Sequence, residues 1–390
     1  MTKTELAPVR VNRKAADRAA SGHPWIFSSD VIDRGEAQGG DAVVVEGPSG
    51  RTIGTAHYSS TSQITLRLLS NRAEPIDRAF FQRRLAQAIA YRERVVENSD
   101  AFRLVFSEAD LLPGLIVDHY GPHVVMQTLS QGMDRSRDMI ADCLTELLAP
   151  AGILARNDAT VRGLEGLPLE IKLLSGEVPE RALIRMNGLT LEADLRQGQK
   201  TGAYLDQREN YLAVARHARG RMLDCFTSTG GFALHAAGRV DSVEAVDSSA
   251  AALATAEANA RANGIANIEF RQADVFDFLS RRDARYSTIV LDPPAFAKSR
   301  KQVDAAARGY KEINLRALRL LEPGGILVTC SCSHHMSEGM LLETVAAAAL
   351  EAGKTLRIVE RRTQAADHPI LLTVPETLYL KCLILQVLAP

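Results

Sequence analysis

From about residue 190 onwards, short apolar runs alternate with amphipathic helical segments, and each apolar run stops at a turn. Such alternation is typical of a parallel β-sheet whose connecting helices cover its faces. The predicted strands are 221–226, 242–247, 268–272, 287–292, 325–330 and a closing pair near 355–361 and 378–387. The predicted helices are 249–263, 275–281, 310–321 and 337–352. The pattern therefore predicts a Rossmann-like α/β domain with a mostly parallel sheet, in which ligands bind at the carboxyl ends of the strands.

The chain has 390 residues, which is too many for one ordinary domain. Residues 1–75 contain short alternating or apolar runs separated by glycine and serine clusters, which indicates a small β-rich domain. Residues 76–190 begin with a strong amphipathic helix and continue with short strands and a second helix near 136–148. We therefore expect three domains, namely a β-rich domain (1–75), a central α+β domain (76–190) and the Rossmann-like domain (191–390).

Composition narrows the classes of protein that the chain can belong to. The net charge is -1, so any contact with nucleic acid has to come from local basic patches. No apolar run approaches the ~20 residues that span a membrane, and the N-terminal residues contain no apolar leader segment. Five cysteines without a repeated spacing favour a reducing compartment, which predicts a cytoplasmic protein. Cys330 and Cys332 are one residue apart, a spacing that suits neither a Cys-x-x-Cys metal site nor a redox pair.

Acidic side chains stand at the ends of the first three strands of the Rossmann-like domain. Asp224 opens the segment Asp224-Cys-Phe-Thr-Ser-Thr-Gly-Gly-Phe232, whose two glycines allow the backbone to approach a ligand. Asp247, about twenty residues further on, can hold both ribose hydroxyls, and Asp274 can bond an adenine amino group. A helix N-cap is the alternative for any one of these acids, Asp274 above all. Because the G-x-G-x-x-G fingerprint is absent, the set predicts a pocket for adenosine and a charged side chain rather than for a dinucleotide.

The fourth and fifth strands end in Asp292-Pro-Pro294 and Cys330-Ser-Cys-Ser333. The two prolines hold the aspartate rigidly, although a simple strand terminator is the alternative explanation. In this fold class the first, fourth and fifth strands are neighbours, so Asp292 and one of the cysteines should face each other. A lone cysteine is usually a buried hydrophobic residue, but one beside a carboxylate and a cofactor pocket is a candidate nucleophile.

Residues 298–319 carry seven cations and two acids, which gives a net charge of +5. The cations are Lys298, Arg300, Lys301, Arg308, Lys311, Arg316 and Arg319. A solvated helix face is the usual explanation of such a run, but its position beside Asp292 favours contact with a phosphate backbone. Trp25 is the only tryptophan; we expect it in a core, with a base-stacking surface as the alternative.

Together, these segments resemble the RlmI-type family of S-adenosylmethionine-dependent 5-methylcytosine methyltransferases of large-subunit ribosomal RNA. The resemblance rests on Gly22-His-Pro-Trp-Ile-Phe27, Gln199-Lys-Thr-Gly-Ala-Tyr-Leu-Asp-Gln-Arg208, Cys225-Phe-Thr-Ser-Thr-Gly-Gly-Phe232, Asp292-Pro-Pro294, Gly309-Tyr-Lys-Glu-Ile-Asn314, Ser331-Cys-Ser333 and Ala366-Asp-His-Pro369. It covers nearly the whole chain. It implies an N-terminal PUA domain that binds RNA, a C-terminal class I methyltransferase domain, and large-subunit ribosomal RNA as the partner. The oligomeric state stays open, a homodimer included.

The resemblance also implies roles for individual residues. Cys332 would add to C6 of a cytosine, and Asp292 would hydrogen-bond the exocyclic amine and ring nitrogen of that base. The residues expected to bind S-adenosylmethionine are Asp224, Phe226, Thr229, Gly230, Gly231, Asp247, Ser248, Asp274, Val275, Asp292 and, in the segment that leads into the domain, Thr201, Asp206 and Gln207. The residues expected to contact RNA are Lys298, Arg300, Lys301, Arg308, Lys311 and Trp25.

Three alternatives remain. Related guanine-N methyltransferases share the lead-in segment and Asp-Pro-Pro, and they need no cysteine. A non-catalytic RNA-binding or ribosome assembly factor could retain the same domains. Finally, Cys330 lies in Thr329-Cys-Ser331, which matches the Thr-Cys-Ser of other RNA cytosine methyltransferases. Ser331-Cys-Ser333 followed by Met336 fits the resembled family better and favours Cys332 as the nucleophile.

Overall fold

The computed structural model describes residues 6–281, 283–297 and 300–388, and for Arg300 the backbone alone. Its described residues divide into two units. Unit 1 is drawn from Met1–Ile184, Ala193–Ala203 and Ala366–Thr377, and unit 2 from Arg185–Glu192, Tyr204–Ala365 and Leu378–Pro390. The predicted β-rich domain and the predicted central domain up to Ile184 fall in unit 1, whereas residues 185–190 belong to unit 2. The predicted Rossmann-like domain supplies most of unit 2, although Ala193–Ala203 belong to unit 1. The boundary near residue 75 stays a prediction.

The first part of unit 1 is a six-stranded sheet in the order β2-β6-β5-β4-β1-β3. Its elements are β1 (Pro8–Val11), α1 (Arg13–Ala20), β2 (Trp25–Phe27), β3 (Val31–Asp33), β4 (Ala42–Glu46), β5 (Thr52–Tyr58) and β6 (Ile64–Ser70). Alternate residues of β1 and β4, such as Val9, Val43 and Val45, are fully buried, as expected when one face of a strand covers a core. Helix α1 was not predicted; the side chain of Asn12 caps it by accepting the N–H of Ala15.

The second part of unit 1 is a five-stranded sheet in the order β11-β10-β9-β8-β7, covered by helices. Its elements are α2 (Arg78–Val95), β7 (Ala101–Phe106), β8 (Leu115–Tyr120), β9 (His123–Thr128), α3 (Gln131–Arg135), α4 (Arg137–Leu148), β10 (Gly152–Asn157) and β11 (Glu170–Gly176). The segment Ala366-Asp-His-Pro369 is tied to this part. The carboxylate of Asp367 accepts the N–H of Arg103 at 2.8 Å, and its carbonyl accepts from the buried guanidinium of Arg92 at 2.8 Å. The motif therefore fastens a late stretch of the chain to the central domain.

Unit 2 is built on a seven-stranded sheet in the order β16-β15-β14-β17-β18-β20-β19. A hairpin of β12 (Arg181–Met186) and β13 (Leu189–Asp194) precedes it. The strands are β14 (Arg221–Cys225), β15 (Ser242–Asp247), β16 (Ile268–Gln272), β17 (Tyr286–Leu291), β18 (Leu321–Ser331), β19 (Leu356–Arg362) and β20 (Lys381–Val387). The helices are α5 (Arg208–His217), α6 (Gly231–Ala236), α7 (Ala250–Ala262), α8 (Val275–Arg281), α9 (Val303–Leu320) and α10 (Glu338–Glu351).

The pairing of these strands confirms the predicted mostly parallel α/β fold. Strands β16, β15, β14, β17 and β18 run parallel to one another, whereas β20 is antiparallel to both β18 and β19. The first, fourth and fifth strands of the parallel set, β14, β17 and β18, are neighbours as predicted. Their interior residues are buried on both faces, which explains why they appear in the sequence as continuous apolar runs. None of the helices in the described part of the chain has the length and apolar character needed to cross a membrane.

Candidate active site

The parallel strands bring the predicted site segments to one edge of the unit 2 sheet. The strands β14, β15, β16, β17 and β18 all point the same way, so the residues that follow them share the carboxyl edge. The residues there are Asp224 at the end of β14 and the loop up to Gly231, Asp247 at the end of β15 and Ser248 after it, Asp274 and Val275 after β16, Asp292 after β17, and Cys332 after β18. The sequence therefore identified one contiguous region.

Asp224 is the most buried acid of this edge, with no exposed surface. One of its oxygens, Oδ2, accepts from the hydroxyl of Thr227 at 2.6 Å and from the N–H of Ala233 at 3.0 Å. The other, Oδ1, has no hydrogen-bond partner among the described residues. Burial raises the pKa of this carboxyl to about 7. A buried carboxylate oxygen without a partner is costly, so Asp224 is suited to meet a donor or cation of a bound ligand.

The loop after β14 has an unusual backbone. Phe226 and Ser228 adopt left-handed conformations with φ of 62° and 50°, and Gly230 follows with φ of 89°. Such conformations cost free energy for residues with a side chain and persist where surrounding structure imposes them, often at functional sites. Gly231 is required for a different reason, because a Cβ there would lie 2.4 Å from the ring of Tyr211. The two glycines singled out in the sequence are therefore needed for the shape of the loop.

Asp247 is oriented by backbone donors on both sides. Its Oδ2 accepts the N–H of Ser228 and its Oδ1 accepts the N–H of Ser249, each at 2.9 Å. The side chain is partly exposed, and each oxygen keeps lone-pair capacity for a further donor. The residue thus connects the loop after β14 with the end of β15 while presenting a fixed carboxylate.

Asp274 shows the alternative that the sequence left open. Its Oδ1 accepts the N–H of Asp277 at 3.0 Å, which is an N-cap bond at the start of α8, and its side chain is exposed. Val275 is buried in the hydrophobic core of unit 2, so its side chain is not available to a ligand. The predicted adenine contact of Asp274 stays a prediction, and we no longer expect the side chain of Val275 to take part.

The lead-in residues have more specific partners than predicted. Gln207 is buried, and its Nε2 donates to Oδ2 of Asp292 at 3.0 Å. Its Oε1 accepts from Asn210 at 2.7 Å. This bond determines the orientation of the amide, with the NH₂ group directed towards Asp292. Arg362 in turn donates to Oδ1 of Asn210 at 2.9 Å. Gln207, predicted to hold the cofactor, is therefore foremost a support for Asp292.

Two other lead-in residues are also held by protein groups. Asp206 is buried and its Oδ2 accepts from the hydroxyl of Tyr379 at 2.7 Å. Thr201 belongs to unit 1, is 1% exposed, and has its hydroxyl hydrogen-bonded to Asp118 and Tyr120. The hydroxyl of Thr201 is thus used within the protein, and its predicted cofactor contact stays a prediction.

Two tyrosines of unit 2 were missed as site residues. Burial, followed by the charges of Asp292, Asp206 and Cys332, raises the pKa of Tyr204. Tyr211 is buried, and burial followed by the charge of Asp292 raises its pKa as well. Both phenols stay protonated near neutral pH and can donate hydrogen bonds. Tyr204 lies in the lead-in segment that the sequence analysis singled out, so that segment was the available signal.

The five cysteines, all of them in the described residues, differ sharply in exposure. Cys143, Cys225, Cys330 and Cys382 are buried, and Cys332 alone is partly exposed. Cys330 lies opposite Cys382 in the β18–β20 pair, and its hydrogen bond with Cys382, with burial, raises its pKa well above the usual value. A thiol in that state is a poor nucleophile. Of the two candidates left open by the sequence, the geometry favours Cys332.

The basic segment is only partly available for RNA. Lys311 pairs with Glu351 at 2.8 Å, and Arg316 pairs with Glu312 at 2.6 Å, so these cations act within the protein. Lys301 and Arg308 are exposed. The remaining predicted contacts, Lys298 and the side chain of Arg300, lie outside the described residues. Lys311 belongs to a helix–helix ion pair in which its side chain stays 42% exposed, so its contact with RNA stays a prediction.

Trp25, the other predicted RNA contact, is half-buried in unit 1. Its indole N–H donates to Glu108 at 2.9 Å, and its ring packs edge-to-face with His23 at 5.3 Å between centroids. An indole whose N–H is bonded within the protein and whose ring meets a neighbour is suited to packing. We therefore prefer the core role that the sequence analysis favoured.

The residues of the edge fit S-adenosylmethionine. This cofactor carries a ribose with two hydroxyls and an amino-acid group with an ammonium. The fixed carboxylate of Asp247 offers acceptors of the kind that ribose hydroxyls require, and the unpartnered Oδ1 of Asp224 suits a cationic group. The glycine-shaped loop between them lets the backbone approach a ligand closely.

Replacement of Asp247 by alanine is expected to weaken S-adenosylmethionine binding by about 1.5–3 kcal/mol for each charge-assisted bond that is lost. This corresponds to roughly ten- to hundredfold in the dissociation constant. Isothermal titration calorimetry measures the change. Asp241→Ala, at an exposed residue just before β15, is the matched control and should leave the affinity unchanged. An Asp247→Ala protein with unaltered affinity and thermal stability would place the cofactor elsewhere.

Comparison with known proteins agrees with this geometry. Residues 168–385 match a family described as S-adenosylmethionine-dependent methyltransferase, and residues 9–71 match a PUA-like domain. A protein of Shewanella amazonensis named "Ribosomal RNA large subunit methyltransferase I" is 42% identical over 99% of each chain. A protein of Klebsiella pneumoniae with the same name is 42% identical, over 92% of this chain and 93% of its own. A solved putative methyltransferase complexed with SAH has a TM-score of 0.84 at 21% identity, over 98% of this chain and all of the other.

The family match covers more than half of the chain, and the named relatives cover nearly all of it. Asp224 and Asp247 lie at the carboxyl edge of the unit 2 sheet, and the loop after β14 contains Gly230 and Gly231. These features are consistent with a binding site for S-adenosylmethionine. The chain therefore belongs to the S-adenosylmethionine-dependent methyltransferase family, within the group of ribosomal RNA large subunit methyltransferase I, and joins a PUA-like domain to its methyltransferase domain.

Proposed function

We propose that this protein transfers a methyl group from S-adenosylmethionine to C5 of a cytosine in large-subunit ribosomal RNA. The substrate class comes from the relatives, which are named ribosomal RNA large subunit methyltransferase I. The choice of atom rests chiefly on Cys332, the one partly exposed thiol among the five cysteines. Cys332 follows β18, and Asp292 follows the neighbouring strand β17. A ribosomal RNA substrate would place the protein in the cytoplasm.

The chemistry of cytosine explains why a cysteine is needed. C5 is a weak nucleophile, whereas the amino and ring nitrogens of guanine carry lone pairs and need no covalent activation. Addition of the Cys332 thiolate to C6 forms a C–S bond and makes the electron pair of the C5–C6 double bond available at C5. S-adenosylmethionine, when bound, would supply the electrophilic methyl group, so that the new C5–methyl bond would form as the methyl–sulfur bond breaks and S-adenosylhomocysteine leaves. Loss of the C5 proton to a base then restores the double bond and expels the thiolate.

Asp292 supports this reaction from the neighbouring strand. A carboxyl group can accept a hydrogen bond from the exocyclic amine of cytosine and donate one to the adjacent ring nitrogen. Both contacts draw electron density from the ring and favour attack at C6. The bond from Gln207, itself fixed by Asn210, holds the carboxyl in one orientation, as such a role requires. Tyr204, whose titration responds to both Asp292 and Cys332, adds a protonated phenol to the same group of side chains.

The test is the distribution of 5-methylcytosine in ribosomal RNA. Bisulfite sequencing of large-subunit RNA from a strain that lacks this protein should show the loss of methylation at one cytosine, and a plasmid-borne wild-type copy should restore it. A copy with Cys332→Ala should not restore it. A complete 5-methylcytosine pattern in the deletion strain, or the loss of a methylguanosine instead, would overturn the assignment to C5 of cytosine.

A further inference from the structure

Lys381 is a buried lysine at the carboxyl edge of the unit 2 sheet. It belongs to β20 and lies opposite Ser331, the last residue of β18, and it is 5% exposed. Its Nζ donates to the carbonyl of Ser333 at 2.7 Å and to the carbonyl of Tyr379 at 2.8 Å. Ser333 directly follows Cys332, so the ammonium group holds the backbone of the loop that carries this thiol. An ammonium has three N–H donors, and these carbonyls use two of them.

The charge of this ammonium is not balanced by a carboxylate. Among the described residues, no Asp or Glu forms an ion pair with Lys381, although a buried charge normally requires a partner. Burial lowers the pKa of Lys381 to about 8. The negative charge of the Cys332 thiolate has the opposite effect and raises this pKa. The interaction is reciprocal, because an ammonium that a thiolate stabilises must itself stabilise that thiolate.

We propose that Lys381 is a positioning residue for Cys332, which fixes the loop after β18 through two carbonyl groups and stabilises the thiolate form of the nucleophile with its buried positive charge. A structural lysine would need only the first of these actions. With a pKa of about 8, Lys381 is mainly in its ammonium form at pH 7.

Other ionisable groups among the described residues also lie near this thiol. Tyr204, from the lead-in segment, and Tyr310, from α9, both respond to Cys332 and to Asp292. His334 follows in the same loop, with its ring 5.8 Å from that of Tyr379. Asp292 disfavours a thiolate whenever its carboxyl is ionised, and the phenols of Tyr204 and Tyr310 carry no charge at neutral pH. Lys381 carries a positive charge that opposes this effect of Asp292.

This inference rests on the proposed function for its biological meaning, but its test does not require methyl transfer. The rate at which a small neutral reagent such as iodoacetamide alkylates Cys332 follows the fraction of thiolate. Because Cys330 and Cys332 fall in one proteolytic peptide, fragment-ion mass spectrometry locates the alkyl group on Cys332 and measures its rate separately from those of the four buried cysteines. If Cys332→Ala retained methylation, the proposed function would fail, and the alkylation profile would still report on the Lys381 charge.

The experiment compares pH profiles of Cys332 alkylation in the full-length wild type, Lys381→Met and Lys381→Arg. Lys354→Met is the matched control. Lys354 also donates to a backbone carbonyl, that of Leu321, which lies at the start of β18 and so at the end of this strand away from Cys332. We expect Lys381→Met to move the midpoint of the profile up by about one pH unit. The rate at pH 7 should then fall about threefold, since the tenfold loss of thiolate is partly offset by its greater intrinsic reactivity.

Lys381→Arg should keep the midpoint within a few tenths of a unit of the wild type, and Lys354→Met should not move it. Circular dichroism and S-adenosylmethionine binding verify that each variant is folded. A Lys381→Met midpoint equal to that of the wild type overturns the proposal, even if the limiting rate at high pH changes, because a purely structural lysine would alter access to the thiol and not its ionisation. An equal shift in Lys381→Met and Lys381→Arg overturns it as well.

Discussion

Cys332→Ala is expected to reduce cytosine methylation at least about a thousandfold, because no other group can activate C5 once the nucleophile is gone. The matched variant is Cys330→Ala. Cys330 is buried and bonded to Cys382, so its replacement should cost about 1 kcal/mol of stability and change the rate only a few fold. Single-turnover methyl transfer to a ribosomal RNA fragment, at saturating S-adenosylmethionine, measures both.

A substrate analogue makes this comparison sharper. A cytosine with fluorine at C5 can accept the thiolate at C6 and the methyl group at C5, but it has no C5 proton to lose. The covalent adduct should therefore accumulate with the wild type and with Cys330→Ala, and should be absent with Cys332→Ala. Denaturing gel electrophoresis of labelled RNA detects it. An adduct that survives in Cys332→Ala and disappears in Cys330→Ala would reverse the assignment of the nucleophile.

The strands that form the site were predictable because parallel strands are buried on both faces and appear as unbroken apolar runs. The predicted bounds of β15 and β16 agree with the structure residue for residue. Strand β18 begins at Leu321, earlier than predicted. The prediction started the strand at residue 325 because Glu322-Pro-Gly-Gly325 has the composition of a turn. The pairing with β17 shows the reason: Tyr286 pairs with Leu321 and Thr288 with Ile326, so the turn residues form an irregularity inside a continuing ladder.

Helix α9 shows the limit of periodicity. It begins at Val303, whereas the apolar pattern predicts a start at Tyr310, because residues 303–309 contain mostly small and charged side chains. The fate of its cations was also hidden from the sequence. Lys311 pairs with Glu351 of α10, forty residues further along the chain, and only the packing of the two helices brings them together. A charge run therefore gives an upper bound on the cations that remain available to RNA.

The site itself was predicted as a set of positions and not as a set of contacts. Topology alone places Asp247, Asp292 and Cys332 at one edge, since parallel strands end on the same side. The bond of Gln207 to Asp292 depends on how the lead-in segment packs, which no local pattern encodes. The same holds for Lys381, which lies in the closing strand and carries no motif. Residues that support others are thus the part of such a site that requires a structure.

Asp292→Asn tests whether this carboxyl acts by hydrogen bonding alone or also gives a proton to the ring. Asparagine can still accept from the exocyclic amine of cytosine and donate to the ring nitrogen, and it can still accept the bond from Gln207. It cannot give a proton to the ring as electron density enters it. If proton donation matters, the single-turnover rate should fall by roughly 10²–10⁴ while S-adenosylmethionine affinity changes little. If hydrogen bonding alone were sufficient, the rate would stay within about tenfold of the wild type.

Gln207→Leu is the companion variant, because it leaves the carboxyl in place and removes its support. Without the bond from Nε2, Asp292 can adopt other orientations, so the rate should fall about tenfold and less than in Asp292→Asn. The double variant then tests whether the two residues act together. If Gln207 acts only through Asp292, adding Gln207→Leu to Asp292→Asn should have a smaller effect than in the wild type. Full additivity of the two losses would show that Gln207 serves another part of the site.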